Sequence, residues 1–562
     1  MKKGYIEPVK KLHPLLIKED YWAIWLGIFF LCIGLLAFFE YEKVNTKRIE
    51  LKDKMEVEAN LPFKTLAWHQ ASMSLKSLKG GNNALAKNLK YLLVKPNQWE
   101  GNPLRAFYDD PEIPKTFLLA ENEVKNLYEE AYIATEKAKK ANYVDPQLNQ
   151  QAEENVEKWK AANDRLAIEK RKFTGTYNHI VPLLLVCTFL ALIFGIGAHF
   201  MGIGFIQFVR SFAFVFLIAV LAYTIGEHST MVYWGFGYAA WAIILGLLIS
   251  NTIGTPTWLK VAALPEYFIK TGLVLLGSEI LLSKILAIGL PGIFVAWVVT
   301  PIVLISTYWF GQKVLRINSK TLNITISADM SVCGVSAAIA TAAACNAKKE
   351  ELTLAVGLSM IFTAVMMIVL PAVIKLLGLP EVLGGAWIGG TIDATGAVVA
   401  AGAFLGDTAL NVAATIKMIQ NVLIGFVAFG VAVYWSVKVD KKAGVKVGWN
   451  EIWLRFPKFI LGFLGASILF SVIHASIGDT MGNALLDQGV ARGFVKNLRE
   501  WLFCLAFVSI GLSTNFRELK GYIKDGKALT LYVCGQSFNL LLTLLMAWIM
   551  FYLVFPHITN SL

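Results

Sequence analysis

The sequence predicts an all-α polytopic membrane protein that carries one α-helical extracytoplasmic domain. Three observations predict it. Of the 562 residues, 56% are hydrophobic, and the mean hydropathy is +0.55. Apolar stretches of about 20 residues recur, which is the length that crosses a ~30 Å hydrocarbon layer. Charge is concentrated elsewhere: residues 41–176 hold 23 Lys/Arg and 20 Asp/Glu, 43 of the 92 charged residues in the chain.

Residues 1–40 form a cytoplasmic N-terminus and a membrane anchor. The apolar run Tyr21–Phe39 follows Asp20 and is preceded by Lys2, Lys3, Lys10, Lys11 and Lys18. A cleavable signal peptide is the competing reading, but the run is long for one and no small-x-small site follows it. Residues 41–176 are hydrated and extracytoplasmic. Residues 177–562 form the membrane domain, with spans expected near 179–201, 206–226, 232–250, 266–283, 289–311, 322–345, 351–376, 383–404, 411–437, 457–476, 497–513 and 528–555. With the anchor these make about thirteen transmembrane helices.

Loop charge orients them, because cytoplasmic loops carry excess Lys/Arg. With the N-terminus inside, Lys313, Arg316 and Lys320 fall inside. So do Lys438, Lys441, Lys442, Lys446, Arg455, Lys458, Arg517, Lys520, Lys524 and Lys527. The C-terminus falls outside. Arg492, Lys496 and Arg499 are the exception. The net charge of +12 therefore reflects topology, and its scatter over short loops does not suit nucleic-acid binding. The six cysteines lie in or beside apolar segments with no CxxC or zinc spacing, and the seven histidines form no HExxH. No phosphate loop or dinucleotide fingerprint is present, so no metal, cofactor or ATP-driven cycle is expected, and no enzyme activity.

Within the outer domain, residues 121–172 read as a helical hairpin. Leu148, Ala152, Val156, Trp159, Ala162 and Leu166 recur at spacings of three and four. Asp145-Pro146 is a start signal, a cap residue before a first-turn proline. Val124, Leu127, Ala131 and Ala138 form a similar stripe on the preceding helix. A packing or assembly role suits such a domain best.

Two membrane segments stand apart. "SADMSVCGVSAAIATAAACNA", Ser327 to Ala347, is almost all small residues and holds one charge, Asp329. "GGAWIGGTIDATGAVVAAGAFLGD", Gly384 to Asp407, is interrupted by Gly389, Gly390, Gly396 and Gly402 and carries Asp393 in its middle. Small residues let helices pack closely. That explains the alanines and not the carboxylates, since a charge at the bilayer centre costs roughly 2.5–3.5 kcal/mol. Two glycine-interrupted segments point to a midplane site built from two discontinuous helices, whose half-helix N-termini favour anions and whose free carbonyls favour cations. A third charge, Lys417, lies six residues into its span. It either snorkels to the outer surface or faces Asp393 or an anionic substrate. Phe268–Leu286 and Leu505–Ile523 share a pattern of apolar helix, Gly/Leu pair, polar residue and basic end. They fall seven spans apart, as an inverted repeat requires.

"SVCGVSAAIATAAACNAKKEELTLAVG" and "GGAWIGGTIDATGAVVAAGAFLGDTALNVAATIKMIQNVLI" resemble the sulfate exporter family of bacterial inner-membrane proteins. The matching residues are Cys333, Gly334, Ser336 and Ala337, then Val398 to Gly402, then Lys417, and the resemblance covers about residues 180–555. It implies a secondary transporter of the inner membrane, with a fold similar to sodium/bile-acid symporters and sodium/proton antiporters: inverted repeats and two discontinuous helices crossing at midplane. The chain departs from the family where Ile392 stands in place of a His, and where Lys417-Met418-Ile419-Gln420 lacks a second basic residue. That leaves less positive charge for a doubly charged anion.

The expected function is secondary active transport of a small anion (sulfate, a related oxyanion or an organic anion) coupled to H+ or Na+. Asp329 and Asp393 are the expected ion-coupling carboxylates, since burial favours the form of a carboxyl that carries a proton. Asp393, with glycines on both sides, is the stronger candidate. Asp329 has a structural alternative as a half-helix cap. Ser331, Gly334, Ser336 and Thr391 are expected at the substrate and Lys417 as the charge balance. The alternative is a membrane receptor or assembly protein acting through its outer domain. The expected partners are the lipid bilayer, the anion and H+ or Na+, with a homo-oligomer left open and no nucleic acid.

Overall fold

The computed structural model describes residues 14–109, 113–172, 176–233, 237–280, 282–435, 439, 457–515 and 526–561. They are almost entirely helical. The strands among them pair Tyr108 with Asn178 and Asp109 with Tyr177, antiparallel. Contacts divide the chain into two compact units. One is Met1–Leu31, Cys187–Ser471 and Leu498–Leu562; the other is Cys32–Val186 with Val472–Asn497.

The smaller unit is built around a hairpin of helices Lys115–Lys140 and Pro146–Lys172. The second helix starts where its sequence directs it. Asp145 Oδ1 accepts from the backbone N–H of Gln147 at 2.9 Å and of Leu148 at 3.3 Å, which satisfies orphan donors of the first turn. The hairpin seam is the periodic stripe. Ala152, Val156 and Trp159 are buried against Ala131, Ala134 and Ala138, with Phe63 and Leu66 completing the two clusters. Residues from the far end of the chain join this unit: Met481, Ala484 and Leu485 pack with Val44 and Leu78, and the Gly80 N–H donates to Ala484 O at 3.0 Å.

His69, on helix Leu66–Lys76, is 7% exposed. Burial is the main cause that lowers its imidazole below the ordinary value; Lys160 and Lys64 add to this, and Glu157, 3.7 Å from Nε2, opposes it. The folded unit therefore keeps His69 neutral where the unfolded chain takes up a proton. The stability it lends is complete above the unfolded value of about 6.5 and is lost as pH falls through it. Hydrogen exchange of Leu66–Lys76, corrected for intrinsic rates, should accelerate between about pH 7.5 and pH 5 in the wild type. His69→Phe should flatten that dependence; an unchanged pH profile in the variant would assign it to other groups.

In the larger unit and its anchor, eight described helices are long and apolar enough to cross a membrane: Glu19–Phe38, Ile180–Phe200, Phe205–Gly226, Ile288–Lys313, Glu350–Leu376, Asp407–Tyr434, Phe459–Ile477 and Gly526–Val554. The other five expected spans have a different form. Residues 232–250 and 266–283 give the shorter helices Tyr238–Thr252 and Pro265–Gly277. Residues 497–513 give Lys496–Ser513, which starts with charged residues. Residues 322–345 and 383–404 each give two half-helices: Lys320–Ser331 with Val335–Cys345, and Glu381–Thr391 with Thr395–Leu405. A half-helix of 11 or 12 residues rises only about 17 Å, too short to cross alone.

Two charged clusters are paired inside the larger unit, and one of them corrects a loop-charge reading. Arg499 is not a loop cation. It is buried, its Nε lies 2.7 Å from Glu279 Oε1 and its Nη2 2.9 Å from Oε2, a forked pair that compensates both charges. Lys270 Nζ holds Glu19 and Asp20 of the anchor helix, each at 2.8 Å. Lys438, Lys441, Lys442, Lys446, Arg455, Arg517, Lys520 and Lys524 lie outside the described residues.

Small residues set how closely the half-helices sit. Glu381–Thr391 and Thr395–Leu405 both pack on Asp407–Tyr434. A Cβ on Gly385 would stand 2.6 Å from Ala409 O, and one on Gly389 2.7 Å from Ala413 O, so these backbones touch. Gly389→Leu should force them apart and cost about 1–3 kcal/mol by overpacking. The check is the melting temperature of the purified chain by fluorescence-detected size exclusion, which should fall for Gly389→Leu and stay near wild type for Gly430→Ala, where a Cβ meets nothing within 4 Å.

Candidate functional site

The site begins with backbone that has left the helix. In the first broken helix, Gly334 has φ +60° and ψ −128°, a conformation that disfavours side chains. In the second, Ile392 and Ala394 are extended on either side of Asp393. The two breaks touch. A Cβ on Gly334 would stand 3.1 Å from Asp393 Cβ and 2.8 Å from Ser359 Oγ. Glycine is therefore required there for both conformation and space.

Each break exposes the carbonyl end of one half-helix, and such carbonyls need partners in a membrane interior. Side chains from three neighbouring helices supply them. From Gly526–Trp548, Asn539 Nδ2 donates to Met330 O at 3.2 Å and Gln536 Nε2 to Thr391 O at 2.8 Å. From Val299–Lys313, Thr300 Oγ1 donates to Ser331 O at 3.1 Å. From Asp407–Tyr434, Gln420 Nε2 donates to Ser331 O at 3.1 Å and Gly390 O at 3.3 Å, so one amide bridges both breaks. Lys417 Nζ donates to Val332 O at 2.7 Å and to Gln420 Oε1 at 2.8 Å. The opposite ends differ. Neither Val335–Cys345 nor Thr395–Leu405 has a side-chain cap at its N-terminus. These ends present backbone N–H groups and the positive end of the helix dipole.

Lys417 is 1% exposed, so snorkelling is excluded; its ammonium sits at the negative end of Lys320–Ser331. Asp329 is fully buried, and neither carboxylate oxygen has a hydrogen-bond partner of normal geometry, although Ser359, Tyr532, Asp393 and Lys417 all lie near enough to interact. It is two residues from the carbonyl end of its half-helix, which rules out an N-terminal cap. Asp393 is also buried, and its Oδ2 accepts the hydroxyl of Tyr532.

Asp329, Gly334, Thr391, Asp393 and Lys417 thus gather around the crossing. Three residues serve it differently from expectation. The hydroxyls of Ser331 and Thr391 turn back to Ser327 O and Trp387 O of their own helices, so both offer carbonyls and not hydroxyls. Ser336 is exposed. Thr300, Ser359, Tyr532, Gln536 and Asn539 were not legible as site residues. For the last helix a signal exists: Tyr532, Gln536, Asn539 and Thr543 recur at four, three and four, one polar stripe on an apolar helix. A cavity of about 380 Å³ opens beside the N-terminal end of Val335–Cys345, lined by Val335, Thr353, Ser513, Thr514 and Asn515 among others.

These features define a multi-pass membrane protein with two broken helices meeting at a buried charged centre. The chain belongs to the UPF0324 family of membrane proteins. The family described as "Conserved hypothetical protein 698" matches residues 210–529. A UPF0324 membrane protein of Nitratidesulfovibrio vulgaris is 54% identical over 567 residues, covering 98% of this chain and 97% of the relative. UPF0324 membrane protein RB9488 of Rhodopirellula baltica is 56% identical over 383 residues, covering 68% and 69%. The UPF0324 inner membrane protein YeiH of Escherichia coli K12 is 28% identical over 293 residues, covering 51% and 78%. No solved structure matches the chain.

Gln420→Leu should leave the buried Gly390 O without its side-chain donor, while Ser331 O keeps only the one from Thr300. The expected loss is about 1–3 kcal/mol, the cost of an unsatisfied buried polar group. Thermal melts of the purified variant check it, and a melting temperature equal to wild type would refute the bridging role.

Proposed function

We propose that the chain is a secondary active transporter of a small anion, coupled to H+ or Na+, in a bacterial inner membrane with residues 41–176 outside. The observation that carries this is the crossing itself: two buried carboxylates and one buried ammonium around touching breaks in two helices. A protein held together only by packing has no use for three charges that each cost several kcal/mol to bury. In a transporter they have one, because a midplane site must bind and release charged species.

The anion binds at the uncapped N-termini of Val335–Cys345 and Thr395–Leu405, reached through the cavity beside Thr353, Ser513 and Asn515. Two helix N-termini and the nearby Lys417 ammonium supply its positive surroundings. Asp329 and Asp393 carry the coupling ion. Of the two, Asp329 is the stronger candidate, since it has no fixed partner while Tyr532 holds Asp393. This reverses the ranking taken from the sequence. The family match spans 210–529 and so leaves out the outer domain, which supports a transport role over a receptor role seated in residues 41–176.

The test is anion flux in proteoliposomes under an imposed pH or Na+ gradient. Asp329→Asn should abolish gradient-driven flux with little change in melting temperature, because the amide keeps the shape of the protonated carboxyl and still offers an acceptor oxygen. Asp393→Asn should also abolish it. Flux that responds to both gradients as in the wild type would remove the coupling role from the residue concerned.

A further inference from the structure

The carbonyl ends of the broken helices are where a coupling cation would be expected to sit, since unwound carbonyls can replace an ion's hydration shell. Here they are taken. Met330 O, Ser331 O, Val332 O, Gly390 O and Thr391 O each accept a hydrogen bond from Asn539, Thr300, Gln420, Lys417 or Gln536. A carbonyl has a second lone pair, but the Lys417 ammonium lies 2.7 Å from Val332 O and would repel any cation placed beside it. Among the described residues, the buried oxygens left without a partner beside the breaks are the pair on Asp329 and the neutral amide oxygens of Gln536 and Asn421, and of these only Asp329 can take up a proton.

We infer that Lys417 is a built-in cation occupying the place of Na+, and that the centre couples by a proton shared between Asp329 and Asp393. This rests on the transport reading and narrows it from two ions to one. Charge counting supports it. Asp329 and Asp393 ionised with Lys417 charged leave one net negative charge in a dry interior, and one proton removes it. The other groups facing this centre are Tyr532, which donates to Asp393, the thiol of Cys333 in the first break, and the hydroxyl of Ser359 on Lys349–Leu376. None of them supplies a second positive charge. The step balances simply. A proton from water on one side binds a carboxylate oxygen of Asp329, and the same proton leaves to water on the other.

The experiment uses the full chain, purified in nanodiscs. Its melting temperature is measured in NaCl against choline chloride at equal ionic strength, and the infrared C=O band of protonated carboxyl groups is followed as pH is varied. The expected result is the same melting temperature in both salts, together with a band that titrates in the wild type, shrinks in Asp329→Asn and does not respond to Na+. A ligand in roughly 100-fold excess over its Kd raises a melting temperature by several degrees. Such a rise specific to Na+, or loss of the band on adding Na+, would overturn the inference, as would a band that Asp329→Asn and Asp393→Asn both leave unchanged. Neither readout needs turnover. Absence of anion flux would therefore sink the transport reading without touching the ion assignment, and a Na+ response would sink the ion assignment without touching transport.

Discussion

Everything at the centre of this protein depends on the pairing of helix-end carbonyls where water is scarce. A helix that stops inside a membrane leaves carbonyls without partners, and each unpaired buried group costs on the order of 1–3 kcal/mol or more. Two helices stop here, almost against each other. The chain answers with long side chains from three other helices, each reaching one or two specific oxygens. Gln420 serves both breaks at once, so the two broken helices are tied to each other as well as to their surroundings.

That pairing fixes the electrostatics. Lys417 is drawn to the negative end of Lys320–Ser331, where a cation is favoured by the helix dipole. Its charge then offsets the carboxylates of Asp329 and Asp393. Close packing makes the geometry possible. The helix that bears Lys417 and Gln420 lies in backbone contact with Gly385 and Gly389, so a flexible side chain can span the remaining gap to the breaks. Elsewhere in the same unit, charges are neutralised locally by the Arg499–Glu279 fork and by Lys270 with Glu19 and Asp20. The crossing is different in kind, because it leaves one carboxylate, Asp329, without a fixed partner.

The smaller unit holds the charged hairpin. Its hairpin has a polar exterior, an alanine-rich seam and a capped start, and its buried polar groups are few. The family match covers residues 210–529 and the Rhodopirellula baltica relative aligns with 68% of the chain, whereas the Nitratidesulfovibrio vulgaris relative aligns with 98%. The membrane part is thus the portion shared with the wider family.

The membrane class, the helical hairpin and the location of both breaks were legible in the sequence, because each leaves a local mark. Hydropathy marks spans, a three-four spacing marks the hairpin seam, and a lone aspartate among small residues with glycine nearby marks each break. The same logic singled out Asp329, Asp393 and Lys417, since a charge in an apolar run is conspicuous by itself. Only the tertiary structure decided what those charges meet. Lys417 and Val332 are 85 residues apart, and Asn539 and Met330 are 209 apart. No local pattern encodes such a pairing. Nor could composition say that the Ser331 and Thr391 hydroxyls fold back on their own helices, that Arg499 is buried in a fork, or that Tyr532 donates to Asp393. A residue's type and its neighbours along the chain determine what it can bond; the packing of distant helices determines which of those bonds it makes.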